Sequence, residues 1–208
     1  MKRIALLLVP ISMIIFSNQA DGQTSHFGIT AGLNIANVKG IDGATTKNGL
    51  IIGAFTSYDF SNLFAIEPQL LFSMKGASGT VPNGPDPNAG SDFKWTLNYV
   101  ELPILVKVEV ISVPVLPVSV AAYAGPDFAF NVASSDKLTL NSQTQTLDEK
   151  GNTHPFDFNI AAGVEADLDL SITTLGLGAR YTFGTGPVFK TGPNSKNGVW
   201  SIMASAAF

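Results

Sequence analysis

The chain alternates apolar and polar side chains over most of its length. In residues 64–75, "FAIEPQLLFSMK", the even-numbered positions are all apolar and the odd-numbered positions include every polar residue. Successive side chains of a strand point to opposite faces, so this alternation predicts β-strands with one apolar face. Eight such segments are present, at about residues 27–38, 49–59, 63–75, 95–109, 117–132, 156–168, 171–184 and 198–208. The second is the least defined, because "LIIGAF" fits either register.

The connections between these segments alternate in length. Those after the second, fourth and sixth segments are short, whereas the other connections are long and rich in Gly, Asn, Pro, Ser and Asp, as in residues 76–92 and 133–155. This alternation is typical of an antiparallel up-and-down barrel that spans an outer membrane. Each segment is long enough to cross a bilayer at a tilt. Both termini are then predicted to lie at the short-turn end.

A soluble barrel or sandwich is the competing fold, and it would turn its apolar face inward. The apolar faces here carry large side chains, and the opposite faces carry small and polar ones with scattered charges. Only 13% of residues are charged, too few for the outer face of a soluble barrel. The sequence therefore predicts an all-β fold, an eight-stranded antiparallel up-and-down transmembrane β-barrel.

The first residues are typical of a secretion signal. A basic start, Lys2-Arg3, precedes a short apolar stretch, and Ala20 and Gly22 provide the small residues that precede a cleavage site. We predict a cleaved signal peptide at residues 1–22 and a barrel domain at residues 23–208, located in the outer membrane. The sequence contains no cysteine, which excludes a disulfide framework and an acylated lipoprotein anchor.

Composition and motifs also limit the function. The net charge is −4 without a run of Lys or Arg, which argues against nucleic-acid binding. The two histidines, His26 and His154, lie outside any Ser–His–Asp pattern. We therefore expect no catalytic residues, no metal site and no cofactor, and we expect the protein not to be an enzyme.

The same parity that defines the apolar face places several polar and charged side chains inside the barrel. An eight-stranded barrel has room for little more than its own side chains, and an isolated buried charge is costly. We therefore predict a hydrogen-bonded interior network with a structural role, in which Glu101 pairs with Arg180. Pro103 predicts a bulge or kink beside Glu101. The members of this network are Glu67, Gln69, Glu101, Lys107, Glu165 and Arg180.

Several segments carry a resemblance to a known family. These are "FGITAGLN", "IEPQLLFSMKG", "LNYVELPILVK", "YAGPDFAF", "IAAGVEADL", "LGARYTFG" and a final strand ending in Phe208. Over nearly all of residues 26–208 the chain resembles the PorT-like outer-membrane β-barrel family of Bacteroidota. The resemblance implies an eight-stranded barrel whose recurrent inward polar positions are Glu67, Glu101, Glu165 and Arg180. The family often has an acidic residue two positions before the arginine, where this chain has Gly178. Arg180 is therefore expected to rely on Glu101 or Glu165.

Three kinds of function are compatible with this sequence. The first is a non-enzymatic barrel whose long extracellular loops contact a partner or ligand, with a PorT-like component of a protein secretion or assembly pathway as its alternative. The second is a narrow, porin-like channel for small solutes, which eight strands disfavour. The third is a membrane enzyme that uses the inward carboxylates as acid and base. The expected partners are outer-membrane lipid and other envelope proteins.

Overall fold

The computed structural model describes residues 24–40, 44–61, 63–82, 90–113, 116–140, 143–148, 151–191 and 195–208. The predicted signal peptide, residues 1–22, lies outside the described residues. Nine strands form in the described part of the chain: β1 Thr24–Lys39, β2 Ala44–Asp59, β3 Phe64–Pro82, β4 Gly90–Val113, β5 Val118–Leu140, β6 Gln143–Asp148, β7 Phe156–Asp169, β8 Thr174–Gly184 and β9 Lys196–Ala207.

Eight of these strands close into a barrel. They pair antiparallel in the order β4-β3-β2-β1-β9-β8-β7-β5, and the pairing of β4 with β5 completes the ring. Within the described residues, β6 pairs with β5 alone and lies outside the ring. The predicted eight-stranded antiparallel barrel is therefore confirmed.

The two ends of the barrel differ. At one end, which we call the turn end, lie the connections β2–β3, β4–β5 and β7–β8 and the described chain ends, where Phe27 and Phe208 exchange backbone hydrogen bonds. The opposite end, which we call the loop end, carries the connections β1–β2, β3–β4, β5–β7 and β8–β9. The β1–β9 seam joins the two ends of the described chain, from Gly28 opposite Ala207 to Lys39 opposite Lys196.

Two connections that were predicted as loops consist largely of strand. Within residues 76–92, β3 continues to Pro82 and β4 begins at Gly90, and the two remain paired throughout. Within residues 133–155, β5 continues to Leu140 and pairs with β6. Many of these residues are small and polar and show weak alternation, but their backbones pair with neighbouring strands all the same. For residues 76–82, 90–92, 133–140 and 143–148 the interpretation as loops was wrong, because composition alone does not reveal a partner strand.

The outer wall is apolar along all eight barrel strands. Its exposed side chains include Ile29, Leu33, Phe72, Ile104, Val164, Leu177, Trp200 and Ile202. In the ambiguous second segment, Leu50 and Ile52 point outward, whereas Ile51 and Phe55 are buried in the lumen. The bulge or kink predicted beside Glu101 is not at Glu101 itself, which pairs in register with Ala129. The pairing of β4 with β5 shifts between Asn98 and Tyr99 and again between Glu109 and Ile111. Pro103 itself pairs in register with Asp127.

Candidate functional site

The polar lumen contains the candidate site. The six residues singled out from the sequence all point into it. Glu67, Gln69, Glu101 and Arg180 are buried, and Lys107 and Glu165 are partly buried. The structure divides the six among three levels. Glu67, Lys107 and Glu165 lie towards the turn end, Gln69 and Arg180 contact each other above them, and Glu101 lies in a separate buried ion pair.

A cavity of about 640 Å³ occupies the turn end of the lumen. The connections at this end line its mouth, and we call it the vestibule. Among its described lining residues are six acidic side chains but only one lysine, Lys107. The acidic residues are Asp59, Glu67, Glu109, Glu165, Asp167 and Asp169. The vestibule is therefore an electronegative, water-accessible space.

Lys107 neutralises part of the vestibule charge. Its Nζ lies 2.9 Å from Asp167 Oδ2 and 3.5 Å from Glu165 Oε2. Glu165 also accepts a hydrogen bond of 2.7 Å from the Ser205 hydroxyl. These side chains come from β4, β7 and β9, no two of which are neighbours in the barrel, so the cluster ties together separate strands. The Lys107 side chain is 18% exposed, so the cluster is in contact with water.

Two glycines make room for the side chains of neighbouring strands. The Tyr123 ring lies over Gly163, where a Cβ atom would stand only 2.6 Å from the ring carbon Cζ. Glu165 and Ser205 meet over Gly176, where a Cβ atom would collide with both side chains. Side chains in the lumen thus occupy the space that these glycines leave free.

A second cluster closes the floor of the vestibule. Arg180 Nη2 donates a hydrogen bond of 2.9 Å to Gln69 Oε1, and Gln69 Nε2 donates one of 2.6 Å to Glu67 Oε1. The Arg180 guanidinium also lies 5.3 Å from the centroid of the Tyr123 ring, a cation–π distance. Arg180 therefore joins β8 to β3 through an amide. The predicted pairing of Arg180 with Glu101 was wrong.

Glu101 pairs instead with Lys75, which the prediction did not include. The Lys75 ammonium contacts the Glu101 carboxylate, and both side chains are almost completely buried, at 1% and 3% exposure. The ammonium also lies 5.2 Å from the centroid of the Tyr99 ring. Lys75 has the same parity as Glu67 and Gln69 on β3, so the alternation of that strand was the signal that could have identified it.

Further towards the loop end, amides pair with carboxylates. Asn159 donates a hydrogen bond of 3.0 Å to Asp127 Oδ2, and Asn197 donates one of 3.1 Å to Asp157 Oδ2. All four side chains are buried. Asp127, Asp157 and Asn159 share the inward parity of their strands, whereas Asn197 lies just before the predicted eighth segment. The predicted network included none of the four.

An apolar plug seals the loop end of the lumen. Part of the β8–β9 connection, residues 185–191, folds inward and hydrogen-bonds to residues 152–154 through the amides of His154 and Lys190. Val188 reaches 1% exposure at the centre of this segment. It packs in a cluster with Val38, Ala77, Leu97, Tyr99 and Ala129, which Trp95 and Phe189 cover. The lumen is thus open to solvent at the turn end and closed at the loop end.

The buried part of the lumen holds its charges in ion pairs and hydrogen bonds, and the acidic vestibule is a large space that solvent can reach. The part of the chain that the structure describes has no group of three or more histidine, aspartate or glutamate side chains placed to hold a metal ion. Among the same residues, no helix has the length and apolar character needed to span a bilayer.

The chain is similar to a known protein family and to several solved structures. The profile of the family described as "Outer membrane protein beta-barrel domain" matches residues 16–190. No curated protein sequence matches the chain. Among solved structures, Neisserial surface protein A is similar with 12% identity and a TM-score of 0.47, over 88% of this chain and 97% of that one. A major outer membrane protein from Thermus thermophilus has 16% identity and a TM-score of 0.46, over 89% and 100%. OprG from Pseudomonas aeruginosa has 14% identity and a TM-score of 0.45, over 89% and 97%.

Proposed function

The chain belongs to the outer membrane protein beta-barrel domain family, and on that premise we propose that it is a non-enzymatic anchor that presents a rigid β-extension to a partner outside the cell. The protein is located in the outer membrane. Short turns of bacterial outer-membrane barrels lie in the periplasm and long connections lie outside. We therefore assign the turn end to the periplasm and the loop end to the cell surface.

The observation that carries this proposal is a one-sided extension of the barrel. β3, β4 and β5 contain 19, 24 and 23 residues, whereas the other five barrel strands contain 11–16. A strand needs about 9–11 residues to cross a bilayer. The surplus of β3, β4 and β5 at the loop end, together with β6, forms a sheet that we call the extension. Trp95 on its inner side packs 5.1 Å from the Phe189 ring of the plug, measured between ring centroids, which braces the sheet.

The sealed lumen favours this role over a solute pore. Val188 and its apolar neighbours fill the loop end, and the Lys75–Glu101 pair is buried in the lumen. A solute would have to displace both the plug and the ion pair. In planar bilayers we expect the purified barrel to give no conductance steps. Reproducible steps with the wild-type chain would reverse the choice between anchor and pore.

The orientation can be tested with introduced cysteines, because the sequence has none of its own. Thr80→Cys lies on the extension, and Ser119→Cys lines the vestibule. On intact cells, a membrane-impermeant maleimide should label Thr80→Cys at once and Ser119→Cys only after the outer membrane is permeabilised. Ser201→Cys, in the closed lumen, is the matched control and should stay unlabelled in both conditions. The reverse labelling order would refute the assignment.

Contact with a partner can be tested by photo-crosslinking from the extension. A photoreactive residue at exposed Lys137 should give an adduct of one defined mass in intact cells. The same residue at Ile202 on the lipid-facing wall is the control and should give lipid adducts only. A variant in which a two-residue turn replaces residues 80–92 should keep the heat-dependent gel shift of a folded barrel and lose the protein adduct. An adduct that survives this deletion would contradict the proposal.

A second candidate function is supported by the vestibule. A PorT-like component of a protein secretion or assembly pathway would need a surface that faces the periplasm, and the vestibule provides an acidic, partly apolar cavity at that end. A photoreactive residue at Ser112 or Ser119 would then crosslink to a periplasmic protein. Adducts from these positions and none from Lys137 would favour the secretion role over surface presentation.

A further inference from the structure

Two lysines lie side by side on the outer wall, at its boundary with the loop end. Lys39 ends β1 and Lys196 begins β9, and the two are direct partners in the register of these strands. Directly opposed side chains of antiparallel strands have Cβ atoms about 5 Å apart. None of the ion pairs among the described residues includes either lysine. Two positive charges therefore share a small surface, an arrangement that costs stability unless an anion binds there.

An aromatic surface lies directly beside the two lysines. Lys39 Nζ donates a hydrogen bond of 2.9 Å to Tyr181 Oη, and the Tyr181 ring lies 4.9 Å from that of Trp200. Lys196 Nζ lies 5.9 Å from the centroid of the Phe183 ring. Trp and Tyr side chains are enriched where the hydrocarbon of a membrane meets its headgroups. The lysines therefore lie at the depth where lipid phosphates are found.

The lysine side chains are held against this wall. At Gly198, between Lys39 and Tyr181, a Cβ atom would lie 3.1 Å from Lys39 Cε and 3.1 Å from Tyr181 Oη. The absence of a side chain at Gly198 lets the Lys39 hydrocarbon lie flat and brings its ammonium to the phenol. A side chain that is already positioned loses less conformational entropy when it binds a ligand.

We propose that Lys39 and Lys196 bind the phosphate monoester of a membrane lipid. Below the lysines the same face of β1 and β9 continues with Ile35, Leu33 and Ile202, which are all exposed on the outer wall. An amphiphile with a phosphate headgroup matches this order, because its acyl chains cover the aliphatic wall while its phosphate meets the two ammonium groups. Soluble phosphate would match only the upper half of the surface. This binding site is independent of any partner at the extension.

The extension provides a matched control pair. Lys94 and Lys137 are also direct register partners and are both exposed. They stand on the extension, away from the apolar wall. If cross-strand lysines alone were sufficient, both pairs would bind phosphate lipids equally. If the aromatic and aliphatic wall contributes, only Lys39 and Lys196 will do so.

The test is native mass spectrometry of the purified, folded barrel in detergent, titrated with dioleoyl phosphatidic acid or with dioleoyl phosphatidylcholine. The wild-type chain should bind phosphatidic acid preferentially. Lys39→Gln/Lys196→Gln should weaken that binding about 30-fold, as expected when two cations near a membrane surface are removed. Lys94→Gln/Lys137→Gln should bind like wild type, and Lys39→Arg/Lys196→Arg should retain most of the affinity. The heat-dependent gel shift confirms that each variant is folded.

Two results would overturn the proposal. The first is an unchanged preference for phosphatidic acid in Lys39→Gln/Lys196→Gln. The second is displacement of phosphatidic acid by inorganic phosphate at equal concentration, which would make the pair a site for soluble anions. Neither result bears on the crosslinking from Lys137, so failure of this inference and failure of the proposed function remain distinguishable.

Discussion

The lumen contains two lysine–carboxylate clusters whose surroundings are opposite. Lys75 and Glu101 face each other in a dry interior, at 1% and 3% side-chain exposure. Lys107 contacts Glu165 and Asp167 at the edge of the vestibule. The Lys107 side chain is 18% exposed, and each of the two carboxylate side chains is 15% exposed. The same lysine–carboxylate pairing therefore occurs once in a buried setting and once in contact with water. In the dry cluster each charge needs the other, whereas in the vestibule water can replace a missing partner.

Lys75→Met is the strongest test of the difference between the two clusters. Removal of one partner leaves Glu101 charged and buried, which typically costs about 3–5 kcal/mol. We expect a loss of that size in the free energy of unfolding, measured by urea titration of the barrel in lipid vesicles. Lys75→Met/Glu101→Leu should recover most of the loss, because it leaves neither charge. Exposed Lys137→Met is the control and should change little. A loss below about 1 kcal/mol for Lys75→Met would contradict a dry cluster.

Arg180→Met tests the cluster that lies between these two. It removes the 2.9 Å hydrogen bond to Gln69 and the contact with the Tyr123 ring. We expect a loss of about 2 kcal/mol, since a hydrogen bond to a charged group contributes about 1.5–3 kcal/mol. Arg180→Lys should recover only part of this, because an ammonium lacks the planar fork. Full recovery by lysine would show that only the charge matters.

Lys107→Met should have the smallest effect, about 1 kcal/mol or less, because water at the vestibule can solvate Glu165 and Asp167. Its sign is destabilising, since Glu165 and Asp167 lose the cation that neutralises them. The difference between wild type and variant should shrink as salt rises to about 1 M, whereas the Lys75→Met difference should persist. An unchanged unfolding midpoint for Lys107→Met at low salt would contradict a stabilising role for this residue.

Much of the fold could be predicted because each side chain of a strand can point to only one of two faces. On β3 the parity of Glu67 and Gln69 settles which face is inward, and a slip by one residue would reverse every position. Parity assigns a side chain to the lumen but does not determine which inward side chains meet. Lys75 lies opposite Leu97 in the register, four residues from Glu101, and its long side chain spans the difference. The partner choice depended on register and tilt, which the sequence does not display.

The plug could not be predicted for a different reason. Val188 lies in a connection with Gly186 and Pro187 and no periodicity. Its burial depends on a space left by Val38, Ala77 and Leu97 on three other strands. The sequence around Val188 contains no information about a space that side chains of distant strands create. The same holds for the extension, where pairing with β6 rather than local composition decides that β5 continues to Leu140.

The β1–β9 seam has a consequence for how the protein is made. β1 and β9 pair from Gly28 opposite Ala207 to Lys39 opposite Lys196. Closing this seam therefore joins residues from the two ends of the described chain. Contacts of such long sequence separation form slowly. Until they form, two strand edges are unpaired, and hydrocarbon offers nothing to satisfy their backbone groups. Biogenesis should therefore be all-or-none: a nascent chain that lacks β9 has no stable inserted state, and closure of the seam commits the barrel to the membrane.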